Sequence, residues 1–366
     1  MHRIGVIFIP DFTGENPYQR LLSEALSSES VEVSFGRNSL LLAVSVLSSL
    51  RKKDPEKIEK RIIHLHWPSS YLSSTSRLMM LFKFVLFPVN LATLVIFKRC
   101  GFKVVWTAHN VVGHAPSFKG VRLFLRKLLA RLYDKVIAHT DAAAREIMNM
   151  YGIPKNKITV IPHGNFIGCY KSSITREEAR KELSLREGST VFLFFGAIRR
   201  YKGVEHLVET FMKMDRESVE LVIAGKPSPK KLAEEILGKI GDNKNIKPAL
   251  RFIPDDKIES FMNAADCAVL PYLNVLTSGA AVLAMSFSKA IIAPSSGCIP
   301  DLLDPEGSFQ YDPEKQRGLL EVMETAALSG RDRLARMGEH NFALAKELSW
   351  EKVASKTQRV YLEVLS

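Results

Sequence analysis

Between two glycines, the stretch Gly196-Ala-Ile-Arg-Arg-Tyr-Lys-Gly203 holds three cations: Arg199, Arg200 and Lys202. The apolar run VFLFFG before it has the length of a buried strand, and VEHLVETF after it repeats its apolar residues at helical spacing. In an open α/β sheet a loop of this kind receives phosphate, because the free N–H groups and the dipole of the following helix attract an anion. Arginine grips phosphate oxygens in pairs and lysine adds a compact charge. A solvated surface loop explains one such cation more easily than three. Neither GxxxxGK[ST] nor GxGxxG occurs, which excludes a P-loop and the dinucleotide fingerprint.

Other stretches carry chemistry more ambiguously. Leu276-Thr277-Ser278-Gly279 opens a helix with small residues that let a ligand approach the backbone, and Thr277 or Ser278 can cap it. Gly225 closes the apolar run LVIAG. In the first half, His109 and Asn110 follow the strand-like VVWT, where His109 is either a general base or a hydrogen-bond partner. His163 and Gly164, in VIPHG, either contact phosphate or shape a turn. Asp11, Gly14, Glu15 and Asn16 form the loop after the first strand, where an acceptor docks and where Asp11 or Glu15 is a candidate base. His64 and His66 in HLHWP share one strand face. With no further ligand nearby, packing and loop contacts are favoured over a metal, and His66 is assigned to the acceptor.

Elements that alternate along the chain must position these residues. Strands are expected at Arg3–Ile9, Val31–Phe35, Ile62–His66, Lys103–Thr107, Lys135–Ala138 and Ile158–Ile161, then at Val191–Phe195, Glu220–Ala224, Ala268–Leu270 and Ala290–Ala293, with helices between. This pattern predicts two parallel, doubly wound α/β sheets, hence two Rossmann-like domains. They are placed at residues 1–165 and 166–349, with a last helix over 350–366 crossing back to brace the first. The 366 residues suit two cores. The apolar stretch 78–97 is expected to be a buried crossover helix or a helix pair resting in a membrane surface; Lys83, Pro88 and Asn90 argue against a span.

Charge is distributed unevenly. Residues 1–170 hold 23 Lys and Arg against 11 Asp and Glu, whereas residues 171–366 hold 28 of each. A basic first half implies an anionic partner. No helix-turn-helix, zinc-finger or aromatic stacking motif supports nucleic acid, so anionic lipid or a phosphorylated substrate is expected. The four cysteines form no CxxC pair and read as reduced thiols, and the short N-terminal apolar run reads as a strand rather than a signal peptide.

Taken together, VVWTAHN, KVIAHTDAAAREI, ITVIPHGNF, FFGAIRRYKGVEHLVETF, LVIAGKP, FIPDDKIESFMNAADCAVLPY, LTSGAAVLAMSFSKAIIAPSSGCIPDLL and LSWEKVA resemble, in order, the GT-B glycosyltransferases of family 4 (group 1). The resemblance implies an interdomain cleft as active site, a C-terminal domain for a UDP- or GDP-linked sugar and an N-terminal domain for the acceptor. By that resemblance Arg199 and Lys202 hold the donor diphosphate, joined by the N–H groups of 276–279. Gly225, Asn110, His163 and Gly164 line the donor, His109 approaches the sugar, and neither cofactor nor metal is required, in keeping with the lack of a DxD motif. Two glutamates common in the family are replaced by Val275 and Leu283, which leaves sugar, ribose contact and stereochemistry open. The implied enzyme is a metal-independent hexosyltransferase, cytoplasmic and peripheral on the membrane, acting on a lipid-linked or other glycan. Alternatives are a soluble acceptor or a catalytically silent nucleotide-sugar-binding subunit.

Overall fold

A computed structural model describes residues 4–14, 16–36, 39–50, 60–72, 76–109, 119–170, 174–214 and 218–366. Glu15 and Asn110 lie outside the described residues. The chain divides into two compact units, one of residues 1–164 with 349–366 and the other of residues 165–348.

In the first unit β1 (Ile4–Ile9), β2 (Val31–Phe35), β3 (Lys60–Leu65), β4 (Lys103–Thr107), β5 (Lys135–Ala138) and β6 (Ile158–Val160) form one parallel sheet in the order β2-β1-β3-β4-β5-β6. β1, IGVIFI, is buried at every position, as a strand covered on both faces requires. Helices α1 (Pro17–Ser27), α2 (Leu42–Leu50), α3 (Arg77–Arg99), α4 (Lys119–Ala130) and α5 (Asp141–Tyr151) connect the strands. The C-terminal helix Trp350–Leu365 belongs to this unit: Trp350, Val353, Val360, Tyr361 and Val364 share a core with Tyr18 and Leu22 of α1.

The apolar stretch 78–97 is neither a buried crossover nor a helix pair. α3 is a single 23-residue helix, capped by Ser76 and ended by Lys98 and Arg99, whose charges suit its C-terminal dipole. Pro88 removes one rung of the backbone ladder without ending the helix. Asn90 anchors its inner side, accepting from the Leu42 amide at 2.8 Å and donating to the Leu40 carbonyl at 2.9 Å. Its outer side is bare: Leu78 is 80% exposed and Val85 71%, and Phe82 and Ile96 are exposed too. By length and composition Leu78–Arg99 is long and apolar enough to cross a membrane, with 28% of its most apolar window buried.

In the second unit β7 (Thr190–Phe195), β8 (Val219–Ala224), β9 (Ile246–Ala249), β10 (Cys267–Val269), β11 (Ala290–Pro294) and β12 (Ser308–Tyr311) form a parallel sheet in the order β12-β11-β10-β7-β8-β9. Its helices are α6 (Arg176–Glu182), α7 (Val204–Phe211), α8 (Lys231–Ile240), α9 (Asp255–Ala264), α10 (Gly279–Ser286), α11 (Ile299–Leu302), α12 (Gly318–Leu328) and α13 (Gly330–Glu347). Half-buried Asp266 ties α6 to the base of β7: it accepts from Arg176 at 2.5 Å, Arg180 at 2.6 Å and the Val191 amide at 2.8 Å.

Each sheet reverses its winding once, between β1 and β3 in the first and between β7 and β10 in the second. Such switch points are where open α/β sheets hold ligands, outside the carboxyl ends of the strands.

Candidate functional site

The loop at the second switch point is built from close backbone approaches. Gly196 has φ +124 and donates to the Ala224 carbonyl at 2.9 Å, carrying the chain from β7 toward the end of β8. There Gly225 has φ +150, and a Cβ on it would lie 1.9 Å from the Gly196 carbonyl oxygen. A short 3-10 turn, Arg200–Lys202, follows Arg199 and ends at Gly203 with φ +69. A Cβ on Gly203 would lie 1.9 Å from the Pro271 carbonyl oxygen. Only glycine fits at Gly203 and Gly225.

Lys202 thereby lies at the carboxyl end of β7, its ammonium 5.9 Å above the centre of the Tyr272 ring. The Tyr272 hydroxyl shares a 3.1 Å hydrogen bond with Ser278 Oγ, which also accepts from the Ala281 amide and so caps α10. The Leu273 amide donates to the Tyr201 carbonyl at 2.9 Å, strapping this segment to the basic turn. The cation and the start of α10 are thus joined through one aromatic side chain, which sequence reasoning did not single out. Gly279 begins α10, with Leu276 and Thr277 half-buried just before it.

Arg199 and Lys202 form no ion pair among the described residues. Burial, then the nearby Arg199 charge, pushes Lys202 down to about 8. Arg200 differs: exposed, it is bonded to Glu205 and Glu235, each at 2.6 Å. Two uncompensated cations beside a helix N-terminus make a receptacle for a doubly charged anion. Arg200→Ala is therefore expected to change nucleoside diphosphate affinity less than about threefold by calorimetry, since an exposed, paired charge contributes little. Lys202 loses its proton as pH rises through about 8. Affinity of the wild type should therefore fall about tenfold between pH 7 and pH 9, and Lys202→Arg, which stays charged, should flatten the curve.

At the first unit's carboxyl edge the structure collects histidines. His66, His109 and His139 follow β3, β4 and β5, and His163 follows β6. His66 Nδ1 lies 3.2 Å from His109 Nε2, and His109 Nδ1 lies 3.3 Å from His139 Nε2. Tyr18 sits among them, its ring edge-on to His66, His109, His139, His163 and Trp350. Burial, reinforced by neighbouring imidazoles, holds His66 and His109 well below the ordinary 6.5. Burial also pushes His139 down to about 3 and His163 to about 4.

The expected roles change accordingly. Both ring nitrogens of His109 are engaged by other histidines, so His109 has no bare lone pair with which to act alone as a base. His66, expected at an acceptor loop, is 1% exposed. His64 is held between the Tyr361 hydroxyl at 2.6 Å and Thr107 Oγ1 at 2.7 Å, a packing arrangement. Asp11 Oδ1 accepts from the Thr13 amide and hydroxyl, and Asn16 Oδ1 caps α1 through the Tyr18 amide. Gly14 is exposed in that loop, and buried Gln19 braces it by donating to the Pro10 carbonyl and accepting from the Phe12 amide, both at 2.8 Å. His163 donates to the Gly164 carbonyl at 2.7 Å, and a Cβ on Gly164 would lie 2.4 Å from the Trp350 ring, so packing accounts for that glycine. His139, Tyr18 and Gln19 were missed. The repeated ending of successive strands in histidine is the signal that would have found His139. Among the described residues no group of three or more His, Cys, Asp or Glu is arranged to hold a metal.

Known proteins resemble this chain in sequence and in fold. The family model for glycosyl transferases group 1 matches residues 175–342, and that for glycosyltransferase family 4 matches residues 35–164. The chain is 26% identical over 315 residues to a GDP-mannose:glycolipid 4-beta-D-mannosyltransferase of Xanthomonas campestris pv. campestris, covering 83% of this chain and 80% of that protein. Its fold is similar to sucrose-phosphate synthase from Thermosynechococcus elongatus, with TM-score 0.76 at 14% identity over 99% and 98% of the two chains. It is similar as well to Anabaena HepE in complex with UDP and glucose, with TM-score 0.73 at 15% identity over 98% and 99%.

Proposed function

Because this chain belongs to the group 1 glycosyl transferases and has the GT-B fold, we propose that it transfers a mannosyl group from GDP-mannose to a hydroxyl of a glycolipid at an anionic membrane surface. The observation that carries the reading is the receptacle of Arg199, Lys202 and the α10 N-terminus, joined through Tyr272. In this reading the acceptor oxygen attacks the anomeric carbon and the bond to the diphosphate breaks, its electron pair leaving on a phosphate oxygen. Arg199, Lys202 and the first amides of α10 stabilise that charge, an electrostatic role fixed in place before the reaction. The first unit takes the acceptor. GDP is favoured over UDP because the Xanthomonas relative, named for GDP-mannose and a glycolipid, overlaps four-fifths of both chains. The test offers radiolabelled GDP-mannose and UDP-glucose with bacterial membrane lipid and follows label into the organic phase. Label from GDP-mannose is expected; label from UDP-glucose alone contradicts the donor, and no label from either contradicts the lipid acceptor.

The membrane part rests on the exposed apolar side of α3 and on exposed Val44 and Leu47 of α2, within a strongly basic half of the chain. An apolar face flanked by cations rests in an anionic interface, each buried side chain adding about 1.5–3 kcal/mol. The protein is expected to sediment with phosphatidylglycerol vesicles at low salt. Salt should weaken this by screening, and the triple variant Leu78→Ser, Phe82→Ser, Val85→Ser by at least about tenfold. Vesicle binding equal in wild type and variant would contradict the assignment. The cytoplasmic face is the side proposed, since donor and anionic lipid meet there.

A further inference from the structure

A hydroxyl has one proton and two lone pairs, and at the start of α10 two hydroxyls meet. Ser278 Oγ accepts from the Ala281 amide at 3.1 Å, which occupies one lone pair, and lies 3.1 Å from the Tyr272 hydroxyl. Tyr272 is 4% exposed and Ser278 7%. Burial pushes the phenol above its ordinary 10, so it keeps its proton. Among the described residues Ser278 Oγ is the one hydrogen-bond partner of that phenol. A buried O–H proton without an acceptor is costly, so Tyr272 donates and Ser278 accepts. Both lone pairs of Ser278 Oγ are then occupied, by Tyr272 and by the Ala281 amide. The Ser278 proton is left with no acceptor among the described residues.

That proton stands in a group of donors, all of the second unit. The Gly279 and Ala280 amides, the first of α10, donate to nothing among the described residues. The first amides of a helix stay so until a ligand or water meets them. Lys202 holds its ammonium 5.9 Å from the centre of the Tyr272 ring. One side chain thus faces the cation with its ring and sets the direction of the Ser278 proton with its hydroxyl.

We propose that the Ser278 hydroxyl donates to a phosphate oxygen of the nucleoside diphosphate, and that Tyr272 is the positioning residue that commits its proton to the ligand; the role rests on the diphosphate reading above. The hydroxyl adds a neutral donor beside the ammonium of Lys202 and the amides of Gly279 and Ala280. Without the phenol, one lone pair of Ser278 Oγ is left to water and the direction of its proton is no longer set.

The test is calorimetry at pH 7 with GDP and with inorganic pyrophosphate, which carries the phosphates without base or ribose. Ser278→Gly removes the hydroxyl, and glycine caps a helix nearly as well as serine; affinity for both ligands should fall about tenfold, the scale of a hydrogen bond to a charged group. Tyr272→Phe should lose about fivefold. The double variant should bind within about twofold of Ser278→Gly, because the phenol acts through Ser278 and the two losses do not add. It also leaves no buried phenol unpaired, and urea unfolding checks that it is folded. Ser278→Thr, which restores hydroxyl and cap, should recover affinity to within about threefold of wild type. The pH profile tests the ring. Tyr272→Leu removes the aromatic face that favours the ammonium, so its GDP affinity should decline about half a pH unit earlier than that of wild type. Tyr272→Phe should keep the wild-type curve, with Arg199, the other charge acting on Lys202, unchanged in both. Lost packing alone would not move the curve. Wild-type affinity in Ser278→Gly or in Tyr272→Phe, additive losses in the double variant, or an unmoved curve in Tyr272→Leu overturns the proposal while leaving the diphosphate site in place. A wild type that binds neither pyrophosphate, GDP nor UDP overturns the site itself and this role with it.

Discussion

Gly203→Ala is expected to destabilise the second unit by roughly 3–5 kcal/mol, the range reached when a substitution forces strain and overlap together. Its φ of +69 already disfavours any side chain, and the new Cβ would stand 1.9 Å from the Pro271 carbonyl oxygen, a backbone atom that moves only with β10's exit segment. Gly188→Ala is the control. Gly188 has φ +81, but a Cβ there meets nothing within 4 Å, so only the conformational penalty applies, about 1 kcal/mol. Urea unfolding of the two variants separates strain from collision. Equal midpoints would contradict the close approach of the basic turn to Pro271. The comparison bears on function because the same contact holds Lys202 over Tyr272.

Lys202→Ala is expected to lower the transfer rate by about 10²–10³, comparable to removing one donor from a site that stabilises developing negative charge. Loss of one charge-assisted contact should also weaken GDP binding by about 10- to 100-fold. The fall in rate beyond the fall in affinity measures what Lys202 contributes to the departing diphosphate. Lys202→Arg should recover affinity better than rate, because guanidinium keeps the charge but not the compact geometry over the ring. A Lys202→Ala enzyme that loses affinity alone would assign Lys202 to binding and leave leaving-group stabilisation to Arg199 and α10.

The basic loop was legible because everything that defines it is local: an apolar strand, two glycines and three cations within fourteen residues of chain. The strands that reasoning found, such as IGVIFI and KVVWT, are apolar runs buried between layers. The two it missed are the outer strands of the second sheet, β9 with Pro248 at its third position and β12 with Gln310. An edge strand faces solvent on one side and tolerates proline, so it need not show an apolar run. Long-range contacts were equally hidden. No spacing rule relates Lys202 to Tyr272, or His109 to His66 and His139, because the sheet order alone makes them neighbours. Asn16 illustrates the reverse: a polar loop residue before Pro17 reads as ligand-facing, and its side chain is spent on a helix cap. For α3, composition alone left burial and membrane contact equally open, and the exposed Leu78, Phe82 and Val85 rule out full burial.

The most direct measurement is calorimetric titration of the wild type with GDP and with UDP in the absence of added metal. Saturable binding of GDP is expected, with weaker binding of UDP and a decline above pH 8 that follows Lys202. Binding of neither nucleotide would contradict the assignment of Arg199, Lys202 and the α10 N-terminus as the diphosphate site.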